Sequence, residues 1–239
     1  MESELGAELL GEIRETFNEL VRTDKAIQRR IEKIAAGRGT MFDATQYAYG
    51  VGQNLTKAFL ANLTETRLPN GRIYYSLANE IVPPMLQEEF GLTTETAQKI
   101  ITDMNRRAGI NLNGIVPDIN QSRIDGIVSG IGNSETLEDA YKYLRGPVQN
   151  FAVHAVDDTV RRNLDFQHES GMRPKIVRST NGPCCPWCDA LAGEYDYPAS
   201  NPEVWQRHEN CNCVIEYQPT KIRAPRQRLS GYGWQNGRT

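Results

Sequence analysis

The chain has 239 residues, 39% apolar and 24% charged, with a formal net charge of −3. That length most often makes one or two domains, and the composition fits a soluble, somewhat polar globular protein. It carries no apolar run long enough for a membrane helix, and its acidic start, Met1-Glu2-Ser3-Glu4, lacks the features of a secretory leader, so synthesis in a reducing cytosol is expected.

Residues 4–35 place Leu9, Ile13, Phe17, Leu20, Ile27, Ile31 and Ile34 at helical spacing, with Glu and Arg on the other face and Gly37 and Gly39 closing the segment. This pattern predicts one helix of about 30 residues, roughly 45 Å long. A second helix is predicted from about 41 to 66, with Tyr47, Val51, Leu55, Phe59 and Leu63 on one face. Pro69-Asn70-Gly71 is a turn. A third helix covers 73–82, breaks at Pro83-Pro84 and resumes toward 90. Thr93, with Glu95 in the first turn, reads as the N-cap of a helix to about 108. Residues 109–118 are rich in Gly, Asn and Pro and form a loop, followed by a short helix over 119–131. Ser134 caps a further helix ending near Gly146, and Pro147 opens another to about 168, with Val148, Phe151, Ala155, Val160 and Leu164 as its apolar side. The character changes at Gly171. Residues 175–178, 194–197 and 213–217 read as short strands.

All five cysteines fall between 184 and 213. Cys184-Cys185-Pro186-Trp187-Cys188 is followed, nineteen residues later, by His208-Glu209-Asn210-Cys211-Asn212-Cys213. Two short donor pairs separated by a loop are the spacing of a tetrahedral zinc site. The expected ligands are Cys185, Cys188, His208 and either Cys211 or Cys213, with Cys184 alternating to the other side, buried or spare. Four Cys/His donors leave no open coordination position, which makes such a site structural rather than catalytic. A segment of about 45 residues buries little core of its own, and a structural zinc supplies on the order of 10 kcal/mol of folding free energy. The alternative readings are buried thiols packed as small hydrophobes, a redox C-x-x-C, and a zinc deaminase or other nucleic-acid-modifying enzyme. Deaminase chemistry needs H-x-E ahead of P-C-x-x-C, and two residues after His154 stands Val156.

The last acidic residue is Glu216. Lys221, Arg223, Arg226, Arg228 and Arg238 follow it, a tail of +5 that leaves −8 on the first 216 residues. An acidic body with a basic arm suits contact of Lys221, Arg223, Arg226 and Arg228 with nucleic acid or with an acidic protein surface, and Tyr232 and Trp234 are interleaved there for stacking. The expected architecture is therefore mainly α: a helical domain over 1–170, a small α+β zinc-type module over 171–217, and a basic tail over 218–239. A DNA-binding zinc module is a further alternative.

Read as one string, the C-x-x-C at Cys185 and Cys188, the L-x-G-x-Y at Leu191, Gly193 and Tyr195, and the R-H-x-x-C-x-C from Arg207 to Cys213 resemble the C-terminal module of tailed-bacteriophage minor head proteins, the Mu F-like head morphogenesis family. The resemblance is close over about 45 residues and general over the helical part. It implies a non-catalytic minor capsid protein inside the virion head, associated with the portal protein and other capsid proteins and near the packaged DNA. By position, Cys185, Cys188, His208 and Cys211 or Cys213 match the family's metal-type cluster. Gly193 matches its turn, where it supplies a backbone angle ahead of the Tyr195 strand. Asn212 departs from the arginine that relatives often carry between the last two cysteines.

Overall fold

The computed structural model describes residues 2–182, 184–208, 211 and 213–219. These residues form a mainly helical body and a small three-stranded sheet near the C-terminus. No helix among them is long and apolar enough to cross a membrane.

The first predicted helix is two: α1 (Glu2–Thr23) and α2 (Lys25–Ala35). Asp24 divides them. Its carboxylate accepts the N–H groups of Ala26 at 2.8 Å and Ile27 at 3.2 Å, and Asn54 of the next helix donates to its other oxygen at 3.2 Å. The cap satisfies donors that a new helix start leaves free. It also re-aims the chain, so Ile27 and Ile34 are buried while Ile31 stays exposed.

α3 (Met41–Asn62) opens on a capping box between Thr40 and Asp43. The Pro69–Gly71 segment is a short 3-10 turn. α4 (Tyr75–Arg107) and α6 (Leu137–Glu169) each run 33 residues without a break, whereas the prolines predicted two helices in each place. Pro83, Pro84 and Pro147 lie inside them. A helix-interior proline costs about 3 kcal/mol. Burial on both sides of each offsets it: Ile81, Val82, Met85 and Leu86 around the first pair, Leu144, Val148 and Phe151 around Pro147. Thr93 is not a cap. It is buried within α4, and its hydroxyl donates back to the Glu89 carbonyl at 2.9 Å. Thr136, not Ser134, caps α6. Between these long helices lies α5 (Gln121–Gly132).

Two cores result. One gathers α1, α3, α4, α5 and the N-terminal half of α6 around Phe17, Phe59, Ile81 and Leu144. The second joins Ile34, Met41, Ile100, Val156 and Leu164 of the helices to Ile176, Val204, Ile215 and Tyr217 of the C-terminal segment. Helices α3 and α6 cross closely at Gly52, where an added Cβ would come within 2.8 Å of the Gln149 Cα.

The sheet has order β2-β1-β3, both pairings antiparallel, from β1 (Lys175–Ser179), β2 (Gly193–Asp196) and β3 (Val214–Gln218). In β1, Ile176 and Arg178 are the buried pair of the alternation. Tyr217 donates its hydroxyl to Asn105 of α4 at 2.6 Å, and Tyr197 donates to Asp165 of α6. The small segment thus completes its core on the helices and does not depend on its own apolar content alone.

Candidate metal centre

The Cys/His segments attach at one end of the sheet, where β1 ends and β2 and β3 begin. After β1 the chain turns into α7 (Pro186–Ala190), a single helical turn. Cys185 is its N-cap, and its sulfur accepts the Cys188 N–H at 3.4 Å. Pro186 at the first helical position presets φ and lacks a donor that would be unpaired there. These two features bring the sulfurs of Cys185 and Cys188 to one side. The second donor group follows the 3-10 turn Pro202–Trp205. The Cys211 N–H donates to the His208 carbonyl at 3.2 Å, which holds Cys211 to the backbone of His208.

The donors converge in two triads that share Cys188: Cys185, Cys188 and His208, and Cys188, Cys211 and Cys213. Within each triad the ligand atoms lie within 4.8 Å of one another. His208 Nε2 is 3.1 Å from Cys188 Sγ and 3.4 Å from Cys185 Sγ, and Cys188 Sγ is 3.7 Å from Cys211 Sγ. Zinc bond lengths in a tetrahedron require S···S edges of about 3.8 Å and S···N edges of about 3.5 Å. The Cys188–Cys211 contact meets the first of these edges and the Cys185–His208 contact the second, while His208 lies closer than that to Cys188; the donor types suit a thiolate-loving dication. Cys188, Cys211 and Cys213 are buried, Cys185 is half-buried and His208 is exposed. Cys184 is exposed, with its sulfur 4.0 Å from Asp189 Oδ1, and belongs to neither triad.

The thiols differ in acidity. The Cys188 N–H holds the Cys185 thiol below its ordinary value. Burial pushes Cys188 and Cys213 up. Burial also acts on Cys211, but the Cys213 N–H and the Arg207 guanidinium outweigh it, and that thiol is lowered.

Three charged side chains buried beside the cluster had no role in the sequence reading, although Arg207 stands at the head of its R-H-x-x-C-x-C motif. Arg178 of β1 lies under Cys188, with Nη2 3.9 Å from its sulfur and the guanidinium 5.4 Å from the centre of the Trp187 ring. It donates to the carbonyls of Val204 at 2.6 Å and Gln206 at 2.8 Å, which fixes the loop that carries His208. Arg207 donates to both carboxylate oxygens of Asp157 on α6, to the Cys213 carbonyl at 2.7 Å, and reaches Cys211 Sγ at 3.9 Å. One signal was present in the strand: Arg178 shares the inward parity of Ile176, where an apolar side chain is the usual occupant. No local pattern pointed to Asp157, which lies 50 residues from Arg207.

His154 is in neither triad. It lines a cavity of about 300 Å³ between α5 and α6 with Arg123, Ile127, Tyr143, Pro147 and Phe151. Burial lowers its imidazole to about 4. Lys221, Arg223, Arg226 and Arg228 lie outside the described residues. Comparison with family models, curated proteins and solved structures returns no match for this chain.

Proposed function

We propose that this chain is a non-catalytic assembly protein of the phage head-morphogenesis type, in which one zinc ion staples the C-terminal module to a helical body that engages other capsid components. The observation that carries the reading is the convergence of two Cys/His segments, nineteen residues apart, into two donor triads that share Cys188. Those segments carry the same residues whose order resembles the head-morphogenesis module. Cys185, Cys188, His208 and Cys211 or Cys213 would hold the metal, and with a full shell it supplies rigidity and no open position for substrate. The body contributes shape and negative charge, and the residues Lys221, Arg223, Arg226 and Arg228 supply the cationic contact to portal, neighbouring capsid proteins or packaged DNA.

The test of the assembly role is co-expression of the full chain with the portal protein of the same genome. Co-purification that survives washing and weakens on truncation after Pro219 is expected. Absence of any complex, with both proteins folded, would remove the portal from the account. Turnover of nucleic acid by the zinc-loaded chain would replace the reading with an enzymatic one.

A further inference from the structure

We propose that the outer edge of β2 receives residues 220–224 of a neighbouring copy of this chain as a fourth strand, so that copies join head to tail. The inference goes beyond the assembly reading above and uses no metal.

The sheet has two outer strands. β3 packs against α3 and α6, with Val214, Ile215 and Tyr217 buried. β2 does not: Gly193, Glu194 and Asp196 are exposed. The Tyr197 N–H donates to the Pro174 carbonyl at 3.2 Å. By antiparallel alternation the backbone groups of Tyr195 then face β1, opposite Ile176, and those of Glu194 and Asp196 face away from it. Among the described residues no strand lies beyond them. A row of such donors and acceptors is a template for an added strand.

The side chains along the edge specify what it takes. Glu194 and Asp196 share one face of the sheet, and Tyr195 lies on the other, packed against the second core. Lys175 bonds Glu194 from the β1 side, and Asp196 has no ion pair among the described residues. Pairing two β2 edges with each other would set these carboxylates face to face, which is destabilising. The complement is a cation, an apolar residue and a second cation in alternation. Lys221-Ile222-Arg223 is that triplet, and Pro219 and Pro225 bound it, which limits pairing to about the length of β2. In antiparallel pairing Lys221 stands opposite Asp196, Arg223 opposite Glu194, and Ile222 against Tyr195, an aromatic with a β-branched residue. Residues 220–224 themselves lie outside the described residues.

Reach decides which copy donates. Gln218, at the end of β3, stands level with Asp196 across Lys175. The slot beyond β2 is three strand spacings from β3, about 14 Å. Lys221 comes three residues after Gln218, a reach of about 10 Å at full extension. The triplet falls short of the slot in its own chain and fills that of a neighbour. Donor and acceptor are different surfaces, so the contact is heterologous and repeats from copy to copy. Lys221 and Arg223 serve this contact, and Arg226 and Arg228 remain for other components.

The experiment is analytical ultracentrifugation of the full chain over a concentration series. The wild-type mass is expected to rise with concentration and to fall to that of a monomer when a synthetic peptide of residues 219–225 is added. Two double variants reverse the charges. Lys221→Glu with Arg223→Glu changes only the donor, and Glu194→Lys with Asp196→Lys changes only the acceptor. Each alone is expected to stay monomeric, and a mixture of the two is expected to associate again, because each tail then meets an edge of opposite charge. A wild-type chain that is monomeric at every concentration overturns the proposal. So does association that persists in the donor variant, or folded variants that remain monomeric when mixed. If the acceptor variant does not fold, binding of the labelled peptide to the chain truncated after Pro219 is the readout, and absence of binding overturns the proposal equally.

Discussion

The helical body pairs its buried Asp43 with Lys33, but it handles Glu89 and His154 differently from the way the Cys/His module handles its buried charges. In the body, Glu89 is fully buried on α4, and both its carboxylate oxygens lack a hydrogen-bond partner. Burial holds its carboxyl well above the ordinary range, so the group stays protonated. His154 of α6 is likewise kept neutral by burial. In the module, Arg207 is buried in an ion pair with the Asp157 that α6 contributes, and the buried Arg178 donates to loop carbonyls. The body is built of apolar stripes, and a neutral acid or imidazole costs it little. The module packs its few apolar side chains on the helices and adds a buried ion pair and a carbonyl-bound guanidinium beside the Cys/His donors.

Removal of the shared sulfur breaks the contrast most severely. Cys188 belongs to both donor triads, so Cys188→Ser should abolish tight metal binding and with it on the order of 10 kcal/mol of module stability. Limited proteolysis should then cut within 171–218 while circular dichroism keeps most of the helical signal. Loss of the whole helical signal would mean that the second core cannot survive without the sheet.

The titrating groups of the body give the next largest effect, and their signs oppose. The folded-state value of His154, about 4, lies below the ordinary 6.5, so the unfolded chain takes the proton first. Its contribution is full above about pH 6.5 and falls by about 3 kcal/mol as the pH drops toward 4. His154→Gln should flatten that limb of the stability curve in chemical denaturation. Glu89 acts at the other end. Its raised value makes its contribution complete below the unfolded carboxylate range and progressively lost as the pH rises through the folded value. Glu89→Gln should therefore gain stability over wild type in neutral and alkaline solution, and the gain should vanish in acid. Equal pH profiles for all three proteins would mean that these groups are solvated.

The smallest effect concerns the crossing of α3 and α6. Gly52→Ala pushes a methyl against the Gln149 backbone and should cost about 1–3 kcal/mol without touching metal affinity. A change in zinc affinity in that variant would show that the two regions are coupled through the helix crossing.

The sequence disclosed the apolar stripes and the donor spacing because both are local repeats. Leu9, Ile13 and Phe17, or Cys185 and Cys188, announce themselves within a few residues. It misplaced helix ends where a local breaker met a distant force. Pro83, Pro84 and Pro147 end isolated helices, but the core on either side carries α4 and α6 through them. Asp24 lay unremarked inside one predicted helix, and Thr93 was read as a cap. Both are cap-type residues, and what decided between cap and interior was Asn54 for one and burial in α4 for the other. The charged shell of the metal centre was illegible for the same reason. Asp157 meets Arg207 across 50 residues, and Arg178 meets the loop carbonyl of Val204 across 26.

The measurement that bears most directly on the account is the metal content of the purified full chain, read together with its protease sensitivity before and after chelation. One zinc per chain is the expected result, and its removal should open the C-terminal segment to cleavage while the helices persist. A metal-free chain whose C-terminal segment resists protease equally well with and without chelator would contradict the claim.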